Sequence, residues 1–274
     1  MKLFARVFQF YINSSIHVSL AVIALVGITV FEFDLKVPTA LWFFVFFGSI
    51  TGYNFVKYAR IAGLHHRSLT NSLRSIQIFS FLSFAVFLYV AFMLSYKVWW
   101  VTLCFGLLTV FYAVPLLKNK NLRNLSGLKI FVVAVVWSGL TVWVPLVSVN
   151  SEIDLTQWIT FVQRILFVVV LILPFEIRDL PYDKKELKTL PQKIGVNNTK
   201  WLGCVLLLVL LVLEFFKQPA AVAYLLSLLP TLLLTSGLLL FATSKRSRYY
   251  ASFWVEGIPI LWCLIYLIVG KFFL

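Results

Sequence analysis

Phe175-Glu176-Ile177-Arg178-Asp179-Leu180-Pro181-Tyr182-Asp183-Lys184-Lys185 is the stretch on which the reading of this chain turns. It follows directly on an apolar run of membrane-spanning length and sets acids at 176, 179 and 183 among Arg178, Lys184 and Lys185. The chain of 274 residues holds only ten Asp+Glu, so three of them within eight positions need a reason. Acids beside bases at a membrane surface suit a divalent cation that holds a phosphorylated ligand, because Mg2+ usually takes carboxylates together with substrate phosphates. On a helix the three acids fall at i, i+3 and i+7, which is one face. Pro181 disfavours helix at Leu180, so the helix breaks or restarts there. Asp183 then sits in the first turn of a new short helix, where an acid is favourable. The opposing reading is a solvated loop whose acids pair with Arg178, Lys184 and Lys185. Spacing alone does not separate the two.

Outside this stretch the composition is that of a membrane protein: 61% hydrophobic and 12% charged, with 27 Phe and 9 Trp. A soluble domain cannot hide that much apolar surface. The first apolar run is read as a span and not as a cleaved leader, because it lacks a small-residue cleavage pattern and further spans follow. Cys104, Cys204 and Cys263 all lie inside apolar runs without metal-ligand spacing, and are read as small core residues.

Nine apolar segments follow one another, at about 14–31, 38–56, 74–94, 98–117, 129–149, 155–175, 201–216, 219–241 and 252–273. Long and short polar connections alternate. The N-terminus and the long connections (57–73, 118–128, 176–200 and 242–251), with their flanks, carry 19 of the 24 Lys+Arg. The net charge of +14 is therefore the signature of positive-inside topology and not of nucleic-acid binding. It places the N-terminus and the long loops in the cytoplasm and the C-terminus outside. Backbone polar groups in lipid must be satisfied within the segment, so the spans are helices. The expectation is an all-α, polytopic membrane bundle of about nine transmembrane helices, a single domain over residues 1–274, with the 176–183 acids at its cytoplasmic face.

Glu176-Ile177-Arg178-Asp179-Leu180-Pro181-Tyr182-Asp183, followed by Thr189-Leu190-Pro191 and Gly195, resembles the second aspartate-rich motif of the UbiA-type intramembrane prenyltransferases. In that family D-I-R-D-x-x-x-D runs into T-L-P-x-x-x-G between helices six and seven of nine, on the cytoplasmic side. Tyr112-Ala113-Val114-Pro115-Leu116-Leu117-Lys118 resembles the stretch that closes the family's fourth helix. The resemblance covers most of the chain. It implies transfer of an isoprenyl group from a prenyl diphosphate to a lipophilic acceptor, aromatic or otherwise. It also implies Mg2+ as cofactor and an apolar tunnel open to the bilayer. The departing diphosphate builds negative charge that Mg2+ and Lys or Arg neutralise, and a dry pocket protects the allylic cation.

The first motif of the family departs from its pattern here. N-D-x-x-D-x-x-x-D is replaced by Asn54-Phe55-Val56-Lys57-Tyr58-Ala59-Arg60-Ile61-Ala62. Asn54 is kept, Phe55, Tyr58 and Ala62 stand in place of the acids, and Lys57 and Arg60 have appeared. Two accounts fit. In one, Lys57 and Arg60 bind the diphosphate directly and one Mg2+ remains on Asp179, Asp183 and Glu176. In the other, the protein no longer catalyses transfer and is a prenyl-diphosphate-binding, lipid-binding or transport protein. The candidate metal ligands are Asp179 and Asp183, with Glu176 in support. Lys57, Arg60, Arg178, Lys118 and Lys184 are the diphosphate candidates, and Asn54 and Tyr58 would line the site.

Other polar residues carry less. His65-His66-Arg67 is read as a solvated loop. Arg164 and Glu256 are charges inside spans, which are functional candidates by default; they either pair with each other, helix six to helix nine, or lie near an interface. Asn13 and His17 either face the cavity or make interhelical hydrogen bonds.

Overall fold

Helices form where the apolar windows lie. The computed structural model describes residues 2–58, 70–113, 128–183, 187–218 and 222–273, and among them there is no strand. In order these are α1 (Lys2–Asn13), α2 (Ile16–Glu32), α3 (Thr39–Tyr58), α4 (Thr70–Ala91), α5 (Tyr96–Ala113), α6 (Leu128–Ser138), α7 (Val144–Ser148), α8 (Leu155–Asp179), α9 (Leu190–Ile194), α10 (Val196–Glu214), α11 (Val222–Leu240) and α12 (Ile258–Phe273). A π-helical segment, Gly139–Trp143, joins α6 and α7 into one span, and a second, Tyr250–Val255, leads into α12. Among the described residues eight helices are long and apolar enough to cross a membrane, and a ninth span is counted if α1 and α2 are taken as one bent element. Exposed Phe81, Phe92, Trp201 and Leu233 on the outer surface are what a bilayer covers.

The first span differs from its expected form. α1 is a helix of its own, bent by 53° from α2. The bend sits at Ser14-Ser15, where Ser15 takes a left-handed backbone with φ of 66°, so the α-helical hydrogen-bond ladder is interrupted. α2 packs against α3 and α12, while α8 lies between α6, α10 and α11. α8 opens with a capping box in which Asp154 accepts from Thr156 N–H at 2.7 Å and Gln157 accepts from Asp154 N–H at 2.9 Å. It runs unbroken through Pro174 to Asp179.

At the α8 N-terminal end a set of charges is buried inside the bundle. Lys217 donates to Glu32 at 2.6 Å and lies 2.9 Å from Glu214. Thr160 also donates to Glu32, and Gln163 donates to Glu214 and to Leu210 O. The Lys217 ammonium stands 4.2 Å from the centre of the Tyr224 ring. Arg164, 1% exposed, donates to Leu25 O at 2.7 Å and to Thr29 and Thr141. Arg164 therefore neither pairs with Glu256 nor reaches an interface; it is held by carbonyl and hydroxyl oxygens in the core. The cysteines form no disulfide, and Cys104 is exposed, not a core residue.

Candidate functional site

The acidic motif occupies the last turns of α8 and the turn beyond it. Helix ends at Asp179, because Pro181 has no N–H to continue the ladder. Leu180 nevertheless keeps a right-handed helical backbone, and Tyr182 and Asp183 N–H both donate to Asp179 O, at 2.8 and 2.9 Å. Asp179 and Asp183 thus lie one turn apart. The following Thr189-Leu190-Pro191 stretch opens α9 with a capping box between Thr189 and Gln192. Gln192 also donates to Asp183 O at 3.3 Å, tying α9 to the acidic turn. Gly195 joins α9 to α10 with φ of 82° and ψ of 161°, a backbone that essentially only glycine adopts.

The three acids have different partners. Glu176 is 1% exposed and lies 2.7 Å from Lys129 Nζ, in the first turn of α6. Asp179 is gripped by its neighbour, with Arg178 Nε at 2.7 Å and Nη2 at 3.0 Å. Lys129 is also within electrostatic reach of Asp183 and Tyr112. Among the described residues no three acids, histidines or cysteines are grouped to hold a metal, so Glu176 is turned to Lys129 instead of completing a triad. Two carboxylates one turn apart fit a cation that draws its other ligands from phosphate and water, as Mg2+ does.

The last turn of α3 contributes a polar wall. Ser15 Oγ donates to Asn54 Oδ1 at 2.8 Å and accepts from Lys57 Nζ at 2.9 Å. Asn54 Nδ2 donates to Ser14 O and to Ser80 Oγ, at 3.0 and 2.8 Å. Tyr58 OH donates to Asn13 O at 2.9 Å. Asn54, 3% exposed, and Tyr58 therefore pin the α1–α2 bend to α3. Lys57 is the half-buried cation of this wall, 5.9 Å from the centre of the Tyr53 ring. Arg60, Lys118 and Lys184, with the His65-His66 pair, lie outside the described residues.

Tyr53, Gly52, Val56, Tyr112, Val133 and Trp137 line an apolar cavity of about 180 Å³. Trp137 Nε1 donates to Tyr53 OH across it. Glu256, at the end of the second π-helical segment, lies within electrostatic reach of Lys57 and Arg178, and its charge also reaches Tyr53 and Tyr11. Asp183, Lys129, Tyr112, Tyr53 and Glu256 thus lie each within electrostatic reach of the next, with Lys57 and Arg178 within reach of Glu256, and Tyr53 and Tyr112 among them line the cavity.

The fold is that of known proteins. An apo UbiA homologue from Aeropyrum pernix K1 superposes with a TM-score of 0.67 at 13% identity, covering 93% of this chain and 98% of that one. The chain has the UbiA fold. A UbiA homologue from Archaeoglobus fulgidus bound to GPP and Mg2+ gives 0.58 at 13% identity, covering 96% and 99%. The structure of a digeranylgeranylglyceryl phosphate synthase gives 0.58 at 15% identity, covering 97% of each chain. No family model and no curated protein matches the sequence. Within the UbiA fold, the residues that sequence reasoning missed are Lys129, which no motif marks, and Ser15, whose role depends on its left-handed backbone.

Proposed function

We propose that this protein is a membrane prenyltransferase, moving an isoprenyl group from a prenyl diphosphate to a lipophilic acceptor. The observation that carries the reading is the carboxylate pair Asp179 and Asp183, one turn apart, with Lys129 within electrostatic reach of both Asp183 and the cavity-lining Tyr112. The Archaeoglobus homologue of the same fold, seen with GPP or DMAPP and Mg2+, supports it. Asp179 and Asp183 would hold Mg2+, which when bound neutralises the diphosphate as a leaving group. The Arg178–Asp179 pair is half exposed and suited to exchange: the carboxylate turns to a cation and the guanidinium to a phosphate oxygen. Lys57, held by Ser15, supplies a fixed positive charge where the family's first motif has acids. The apolar cavity takes the prenyl chain and keeps water from the allylic carbon. The bases gathered at this end support a cytoplasmic position for it.

One observation favours a second reading. Phe55, Tyr58 and Ala62 replace three acids, while Lys57 is anchored in their midst. A protein that binds the diphosphate through bases alone would retain a prenyl lipid without turning it over. Titration of geranylgeranyl diphosphate into wild type and Asp179→Asn, with and without Mg2+, decides between them. Binding that needs both Mg2+ and Asp179 is the expected result. Binding indifferent to both means the second reading is correct, and no binding removes both.

A further inference from the structure

We infer that Glu256 is a catalytic residue, the proton acceptor for an acceptor substrate that reacts through a hydroxyl. The inference rests on the prenyl-transfer reading and adds to it the chemistry of the nucleophile.

Glu256 is the half-buried carboxylate of the site that is left without a partner. Glu32, Glu176 and Glu214 each lie within 2.9 Å of a lysine. Asp179 is chelated by Arg178. Glu256 makes no side-chain hydrogen bond or ion pair with any described residue, although it lies within a membrane span. Charges in spans are costly and are ordinarily paired, so an unpaired carboxylate here calls for a ligand. The charged and titratable groups around it come from three other elements: Tyr11 of α1, Tyr53 and Lys57 of α3, and Arg178 of α8.

Its position is built, not incidental. Glu256 N–H donates to Ala251 O at 3.0 Å, five residues back, so the carboxylate is carried by the wide turn of the π-helix. Such segments are rare and frequent at functional sites. The turn is clamped by His17. Its Nε2 meets Phe253 O at 2.9 Å, and its ring stacks on Phe253 with centroids 4.9 Å apart. A carbonyl can only accept, so Nε2 carries the proton and Nδ1 accepts from Tyr11 OH at 2.7 Å. Gly257 lets this packing close: a Cβ there would lie 2.8 Å from Phe253 O and 3.4 Å from His17 Nε2.

Glu256 is not a substitute metal ligand for the missing first motif, since it is not grouped with Asp179 and Asp183. Its chemistry is that of a base. In the transfer, the C1–O bond to the diphosphate breaks and the electron pair leaves with the diphosphate. The acceptor oxygen forms the new C1–O bond, and its proton passes to a Glu256 oxygen. A carboxylate aims its nucleophile through a hydrogen bond, which an O–H offers and a ring C–H does not; that selects a hydroxyl.

The test uses the full chain in phosphatidylcholine vesicles with Mg2+ and geranylgeranyl diphosphate. The probes are 1-hexadecanol, 2-naphthol, and 1,3,5-trimethoxybenzene, which offers only ring carbon. Wild type should form ethers with at least one hydroxyl probe. Glu256→Gln should still bind the donor, while ether formation falls roughly 10²- to 10⁴-fold. Glu256→Asp should recover part of it. Equal ether formation by wild type and Glu256→Gln overturns the inference, as does a wild type that alkylates only trimethoxybenzene or neither kind of probe. A wild type that binds no donor removes the prenyl-transfer reading itself, and the role of Glu256 with it.

Discussion

The two ends of α8 treat charge in opposite ways. At its N-terminal end Glu32, Glu214 and Lys217 are each no more than 5% exposed and share hydrogen bonds with Thr160 and Gln163. With Arg164 the set is electrically neutral. At its C-terminal end, about 28 Å away along the helix by its rise per residue, Arg178 and Asp179 are 25% and 33% exposed and pair with each other, Arg178 also reaching Arg248 O at 3.5 Å. Glu256, within electrostatic reach of Arg178, has no side-chain hydrogen bond or ion pair with the described residues. Buried charges that answer one another fix helices in place. Charges left half open are available to an incoming ligand. The contrast separates mutually saturated from open ionisable groups in one molecule without reference to any motif.

The largest expected effect is functional. Asp179→Asn should abolish Mg2+-dependent binding of geranylgeranyl diphosphate in calorimetric titration. Its cost to folding should stay within about 1 kcal/mol, because a half-exposed pair contributes little. Lys217→Met should do the reverse. It leaves Glu32 and Glu214 buried together, and breaking such a set costs about 3–5 kcal/mol. Thermal unfolding in detergent should show the loss, and combining it with Glu32→Gln and Glu214→Gln should restore much of it. A Lys217→Met protein as stable as wild type would erase the distinction between the two ends. Lys57→Gln should weaken donor binding by about 1.5–3 kcal/mol, the size of a hydrogen bond to a charged group, with the unfolding temperature nearly unchanged. Gly195→Ala imposes a backbone that alanine avoids and should cost about 1–3 kcal/mol in the same unfolding measurement. Because α9 ties to Asp183, it should also weaken donor binding slightly.

Much of the fold was legible in advance. Membrane spans announce themselves by length and apolarity, and the observed helices follow the apolar windows closely. The 176–183 stretch was recognisable because its chemistry is local: acids, bases and a proline within a few residues. The roles of single residues were less legible. Asn54 and Tyr58 stood in the position of site-lining residues, yet their side chains brace Ser14, Asn13 and Ser80. Glu176 belongs to the motif by sequence and to Lys129 by structure. Arg164 and Glu256 looked alike as charges within spans, and proved to be one saturated group and one open one.

Sequence alone determined that this is a multi-pass helical membrane protein and where its acidic motif lies, because hydrophobic length and short-range spacing act along the chain. Only the tertiary structure decided which charges are spent on one another and which remain open. Pairing depends on helices far apart in sequence, such as α2 with the residues after α10, or α6 with α8. It also depends on local departures from regular helix, at Ser15 and at Tyr250–Val255, that turn a side chain from one neighbour to another.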